Sequence, residues 1–298
     1  MCPCNRRVPL IAVFAAVAVC CQPEPEATSA ARTGTVASSD GVAIAYEVRG
    51  SGSPGLVFVH GWSCDRSYWD AQVDRFAADH TLVTLDLAGH GQSGRERQAW
   101  TMEAFGEDVV AVVQALDIDP VILIGHSMGG PVVLEAARRM PDRVVGVVGV
   151  DTYQEFGRAY GPEEVAEFLA PLRADFPVNT RTFVSSMMFL PSADSALVNE
   201  IATDMSAAPP AIALAAMDGL VRWHNERSGE ALAAVRAPIR AINSDYRPTD
   251  VEGARRYAGS FEVEFMTGVG HFVMMEDPET FNRLLAETIA ELTAEAPR

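Results

Sequence analysis

Residues 120–141, PVILIGHSMGGPVVLEAARRMP, change period halfway along. The stretch opens with an unbroken apolar run, VILIG, the pattern of a strand buried on both faces, and closes with VVLEAARR, where apolar residues recur at helical spacing. Ser127 stands at the joint, with Gly125 two residues before it and Gly129 two residues after. A strand that turns straight into a helix is one unit of a sheet covered by helices. The rest of the chain repeats that unit.

GLVFVHG (55–61), HTLVTLD (80–86) and RVVGVVGVD (143–151) are near-continuous apolar runs of the same kind. SYWDAQVDRFAA (67–78) and MEAFGEDVVAVVQAL (102–116) are helical segments set between them. Ahead of these, TVASS and VAIAYEVRG (42–50) read as an opening antiparallel pair. After Asp151 the alternation stops: 162–176, 180–190, 194–205 and 211–226 are all helical and rich in Met and Phe. Strand-like text resumes at PIRAIN (238–243) and FEVEFMTG (261–268), before a final amphipathic helix at 278–295. The order predicts an α/β fold: a doubly wound, mostly parallel sheet of about eight strands with a helical cap inserted after the sixth. The divisions are a core at 34–151, a cap at 152–234 and a second core part at 235–298.

Residues 1–31 read as a leader rather than as fold. Arg6 and Arg7 precede a short apolar stretch (8–19) and a Pro/Glu/Ala-rich exit, the pattern of an export signal too short to span a bilayer comfortably. Cysteine directly after the apolar run resembles a bacterial lipoprotein signal, with a lipid anchor on Cys20 or Cys21; simple cleavage near Ala30 or Ala31 is the other reading. Either way the expectation is an exported protein, periplasmic or membrane-anchored. Cys64 is the one cysteine outside the leader, which excludes an internal disulfide framework in the body.

A formal charge of −17 argues against nucleic acid as a partner. All 23 basic residues are arginine. Without lysine, a serine–lysine dyad, a Schiff base and a phosphate-cradling loop lysine are excluded. No metal-ligand spacing and no dinucleotide fingerprint is readable, so no cofactor is implied.

A serine on a strand-to-helix turn sits at the C-terminal edge of the sheet, where open parallel sheets bind ligands. The following helix aims free N–H groups at the same spot, with that of Met128 placed to stabilise an oxyanion. This is the pattern of a nucleophile elbow. With it, HGWSCDRSYW (60–69), DLAGHGQSG (86–94) and GVGHF (268–272) make the chain resemble the α/β-hydrolase family, in its serine-nucleophile esterase and lipase-like branch. The resemblance covers nearly everything from residue 35 onward. It implies a second oxyanion N–H from Trp62 and a catalytic base at His271, after the last strand. His60 and His90 would brace loops, His126 would point away from the serine, and His80 and His224 would be surface or cap residues.

The third triad member must be a carboxylate that fixes the imidazole tautomer. Two aspartates compete. The family's usual position, a few residues past the seventh strand, falls on Arg247 in AINSDYRPT, with Asp245 two places early; Asp151, closing the sixth strand, is the favoured reading.

The implied reaction is hydrolysis of a carboxylic ester, thioester or lactone of a small apolar acyl substrate through an acyl-serine. Carbon–carbon bond hydrolysis and cofactor-free perhydrolysis use the same triad. A ligand-binding or sensor protein on a hydrolase scaffold is the alternative of another class. Met187, Met188, Phe189 and Trp223 are the candidate pocket wall supplied by the cap.

Overall fold

A computed structural model describes residues 1–2 and 30–296. The leader readings on Arg6, Arg7, Cys20 and Cys21 lie outside the described residues. No described helix is long and apolar enough to cross a membrane.

Eight strands form one sheet: β1 (Arg32–Ala37), β2 (Ala43–Arg49), β3 (Gly55–Val59), β4 (Leu82–Leu85), β5 (Val121–His126), β6 (Val144–Val150), β7 (Ile239–Ser244) and β8 (Glu262–Met266). Their spatial order is β1-β2-β4-β3-β5-β6-β7-β8. β1 and β2 pair antiparallel with each other, and β2 pairs antiparallel with β4; every later pairing is parallel. β1 starts at Arg32, pairing with Val48, so the fold begins two residues earlier than the expected boundary at 34.

Two helical layers cover the sheet. On one side α1 (Asp70–Phe76) packs against α10 (Pro278–Glu295), and α10 crosses β6, β7 and β8. The stripe that α10 buries, Phe281, Leu284, Leu285, Ile289 and Leu292, has the spacing of one helix face. Asp277 caps that helix by accepting the Thr280 N–H, and Pro278 occupies its first position. On the other side α2 (Met102–Ala115) packs against α3 (Gly129–Ala137), which lies over β3, β5 and β6.

Between Asp151 and β7 the chain has no strand and makes four cap helices, α4 (Pro162–Ala174), α5 (Phe176–Met187), α6 (Ser195–Ser206) and α7 (Pro210–Ala234). α7 runs eight residues past the helical text read from the sequence and lies on α2 and α3. Two short helices escaped the sequence pattern, α8 (Val251–Arg255) and α9 (Val273–Glu276). Neither is long enough to show a periodic apolar stripe.

Candidate active site

The register of the central strands assembles the site. His126 pairs with Val150 as the last step of the β5–β6 ladder, so Ser127 and Asp151 leave the sheet side by side. Each amide carries the ladder one step further: Ser127 N–H donates to the Val150 carbonyl and Asp151 N–H to that of Ile242, both at 3.0 Å. On the other side of β5, Val59 pairs with Gly125, which brings His60, Gly61 and Trp62 to the same edge.

The serine turn is tight. Ser127 has φ +51°, a left-handed conformation that costs a non-glycine residue about 1–3 kcal/mol and persists only where its surroundings enforce it. A Cβ on Gly125 would stand 2.3 Å from the Gly129 carbonyl oxygen, and one on Gly129 would stand 2.5 Å from that of Val59. Any side chain at either position would force the turn open. The Ser127 carbonyl is held by the Gly130 N–H at 2.9 Å and the Thr152 hydroxyl at 3.0 Å.

Met128 precedes the first residue of α3, so its N–H has no place in the helical ladder. A Cβ on Gly61 would lie 3.3 Å from Ser127 Cβ, which sets the backbone leading into Trp62 directly against the serine. Trp62 is buried, with its indole N–H donating to the Ala213 carbonyl at 2.7 Å.

His271 lies in the turn between β8 and α9. Its Nδ1 is 2.5 Å from Asp151 Oδ2. A carboxylate only accepts, so Nδ1 carries the proton and Nε2 keeps its lone pair. Asp151 is 2% exposed, and its other oxygen accepts from the Ser244 N–H at 2.9 Å and hydroxyl at 3.0 Å. Burial would raise the pKa of this carboxyl, but the imidazole and the Ser244 amide outweigh it and hold the group below the usual carboxylate range. Asp245 is exposed, and its N–H donates to the Met266 carbonyl at 2.9 Å.

The other histidines hold loops. Leu87 N–H donates to His60 Nε2, so His60 Nδ1 carries the proton and donates to the Gly61 carbonyl at 2.8 Å. His90 Nδ1 donates to the Ala88 carbonyl at 3.0 Å. Burial lowers the pKa of His60 to about 4 and that of His90 to about 3, the latter assisted by the nearby His60. His126 Nε2 donates to the His271 carbonyl at 3.0 Å, and burial followed by the proximity of His271 lowers its pKa to about 3. That anchor was not legible in the sequence, and neither was the Ser244 contact; both join residues far apart in the chain. His80 and His224 bond the carbonyls of Pro54 and Arg158 and stand away from this cluster.

The expected pocket wall divides. Met188 and Phe189 lie against the His271 turn: the His271 N–H donates to the Met188 carbonyl at 2.7 Å, and Phe189 stacks on Phe272 at 5.3 Å. Met187 is 47% exposed. Trp223 is a buried strut whose indole N–H donates to Glu135 of α3 at 2.8 Å, so its polar edge is spent joining cap to core.

Residues 56–284 match the family model described as the alpha/beta hydrolase family. The chain belongs to the alpha/beta hydrolase family. Among relatives, this α/β hydrolase is 29% identical over 252 residues to the dihydrolipoyllysine-residue acetyltransferase component of the acetoin cleaving system of Pseudomonas putida, covering 80% of this chain and 64% of that protein. It is 34% identical over 146 residues to the pimeloyl-[acyl-carrier protein] methyl ester esterase of Sodalis glossinidius, covering 47% of this chain and 54% of that one. The chain thus spans less than two thirds of the length of either relative. Among solved structures, a thermophilic esterase from Thermogutta terrifontis shares the fold at a TM-score of 0.74, with 23% identity over 88% of this chain and 99% of that one.

Proposed function

We propose that this α/β hydrolase cleaves a carboxylic ester, thioester or lactone of a small apolar acyl group through an acyl-serine on Ser127. The observation that carries the reading is the 2.5 Å contact between His271 Nδ1 and Asp151 Oδ2, in a carboxylate whose second oxygen Ser244 already holds. It fixes the tautomer in which Nε2 accepts a proton.

Ser127 Oγ attacks the acyl carbon while His271 Nε2 takes its proton. The tetrahedral oxyanion lies between the N–H groups of Met128 and Trp62. Its collapse expels the alcohol or thiol, which leaves with the proton from His271. A water molecule then gives a proton to the same nitrogen and attacks the acyl carbon; collapse of this second tetrahedral intermediate breaks the bond to Ser127 Oγ, which takes the proton back from His271 as the acid leaves. Asp151 stays ionised throughout, and no lysine or cofactor enters the cycle. The aromatic surroundings, with Trp62 edge-on to Phe176 at 5.9 Å and Phe189 stacked on Phe272, support an uncharged acyl group.

The test is fluorophosphonate labelling of the mature protein followed by mapping of the modified residue. The expected site is Ser127, with labelling lost in Ser127→Ala. A label on another residue, or none, overturns the reading. Tight ligand binding without acyl turnover would favour a sensor instead. The leader supports a proposal of export with a lipid anchor at Cys20 or Cys21; metabolic labelling with a fatty acid that survives replacement of both cysteines by Ala would remove the anchor.

A further inference from the structure

Four polar backbone groups hold the turn that carries His271. The His271 N–H donates to the Met188 carbonyl and the His271 carbonyl accepts from His126. The two flanking amides go to one side chain. Gly270 N–H donates to Glu276 Oε2 at 2.9 Å, and Phe272 N–H donates to Glu276 Oε1 at 3.0 Å. Glu276 ends α9, so its carboxylate folds back over the N-terminal turn of its own short helix and straddles the histidine from both sides.

We infer that Glu276 is a positioning residue for the reaction: by gripping the amides on either side of His271, it fixes the turn so that the imidazole stays aligned between Asp151 and Ser127. The inference rests on the acyl-serine reading and extends it to a residue that touches neither substrate nor Ser127.

The physical argument is one of competing demands on the turn. Three residues, Gly270 to Phe272, must present an imidazole that bonds Asp151 on one side and serves Ser127 on the other. Gly268 adopts φ +77° and a Cβ on Gly270 would stand 2.4 Å from the Met188 carbonyl oxygen, so the approach to the histidine is glycine-rich and intrinsically loose. A bidentate carboxylate supplies the stiffness this backbone lacks, since hydrogen bonds to an ionised group are about twice as strong as neutral ones. Burial pushes the Glu276 carboxyl up, while the two amides and then His271 favour its charged form. Asp151 and His126 are the other titratable groups close to His271, and the Met188 contact ties the same turn to the cap.

The experiment compares fluorophosphonate labelling kinetics of the whole protein with those of Glu276→Gln and Glu276→Ala. Wild-type labelling at Ser127 comes first; its failure would sink the acyl-serine reading before Glu276 is tested. Given a labelled wild type, Glu276→Ala should lower the limiting rate roughly 10- to 100-fold, as loss of an outer partner of a site residue typically does. The half-saturating reagent concentration should stay within about twofold, because misalignment of a bound reagent affects the chemical step rather than binding. Glu276→Gln keeps one acceptor oxygen and the side-chain shape, so its limiting rate should lie between the other two. Limiting rates equal to wild type in both variants would overturn the inference. So would a change confined to half-saturation, or loss of folding in both variants, which would make Glu276 a fold-maintaining residue.

Discussion

Asp151 and Asp245 are chemically identical and lie beyond the ends of neighbouring strands, yet only Asp151 meets His271. The difference is an expected difference in rate. Asp151→Asn should leave the fold in place and lower turnover by about 10⁴-fold, because the amide stabilises the wrong imidazole tautomer. Asp245→Asn, at an exposed side chain, should change turnover by less than about twofold. Comparable losses in both would remove Asp151 from its role. Ser244→Ala tests the same carboxylate from behind: it deletes one of two Ser244 bonds and leaves the backbone amide, an expected loss of about 1 kcal/mol, or roughly fivefold in turnover. At this scale Ser127 and His271 stand out in the sequence as candidates because each sits in a glycine-marked turn. The choice of aspartate, though Asp151 was favoured, was marked less clearly, because it depends on which strand end meets the His271 turn, a contact between residues 120 positions apart.

Elements follow the same division between local and long-range information. Strands buried on both faces betray themselves as continuous apolar text, and β3, β4, β5 and β6 appear where that text stands. The four cap helices were legible too, but what the cap touches was not. Met187 and Met188 are adjacent in sequence; the helix ends between them, and one faces solvent while the other's carbonyl holds the His271 turn. Trp223 shows the energetic side of this. Its N–H meets a Glu135 that is buried and also bonded to Arg138 and Arg139, so the cap helix α7 is latched to α3, the helix that follows Ser127. Trp223→Phe removes the donor and leaves a buried carboxylate oxygen short of a partner, a loss of about 1–3 kcal/mol. Local opening of α7 should then become about 5- to 150-fold more frequent, read as faster hydrogen exchange of its amides. Exchange at the wild-type rate would mean that the latch contributes nothing to holding the cap.

For the whole molecule two electrostatic effects oppose each other as the pH falls. The chain carries a formal charge of −17 at neutral pH, so acidification relieves self-repulsion and by itself favours the compact state. Against this stand three buried histidines, His60, His90 and His126, whose folded pKa values are lowered to about 4, 3 and 3. An unfolded histidine titrates near 6.5, so between about 6.5 and 4 the unfolded chain binds protons that the folded one refuses. Stability is therefore full above about 6.5 and is lost progressively as the pH falls from there. At pH 5 the loss is about 2 kcal/mol per histidine, several kcal/mol together. Raised carboxyls such as Asp86 and Asp108, driven up by burial, have the opposite sign, since the folded state then protonates first. Urea unfolding at pH 7 and pH 5 should thus show a clear drop in stability, and His90→Gln should reduce that drop by about a third, whatever it does to stability at pH 7. Stability that rises between pH 7 and pH 5 would show that charge repulsion governs this fold and that the three imidazoles are protonated inside it.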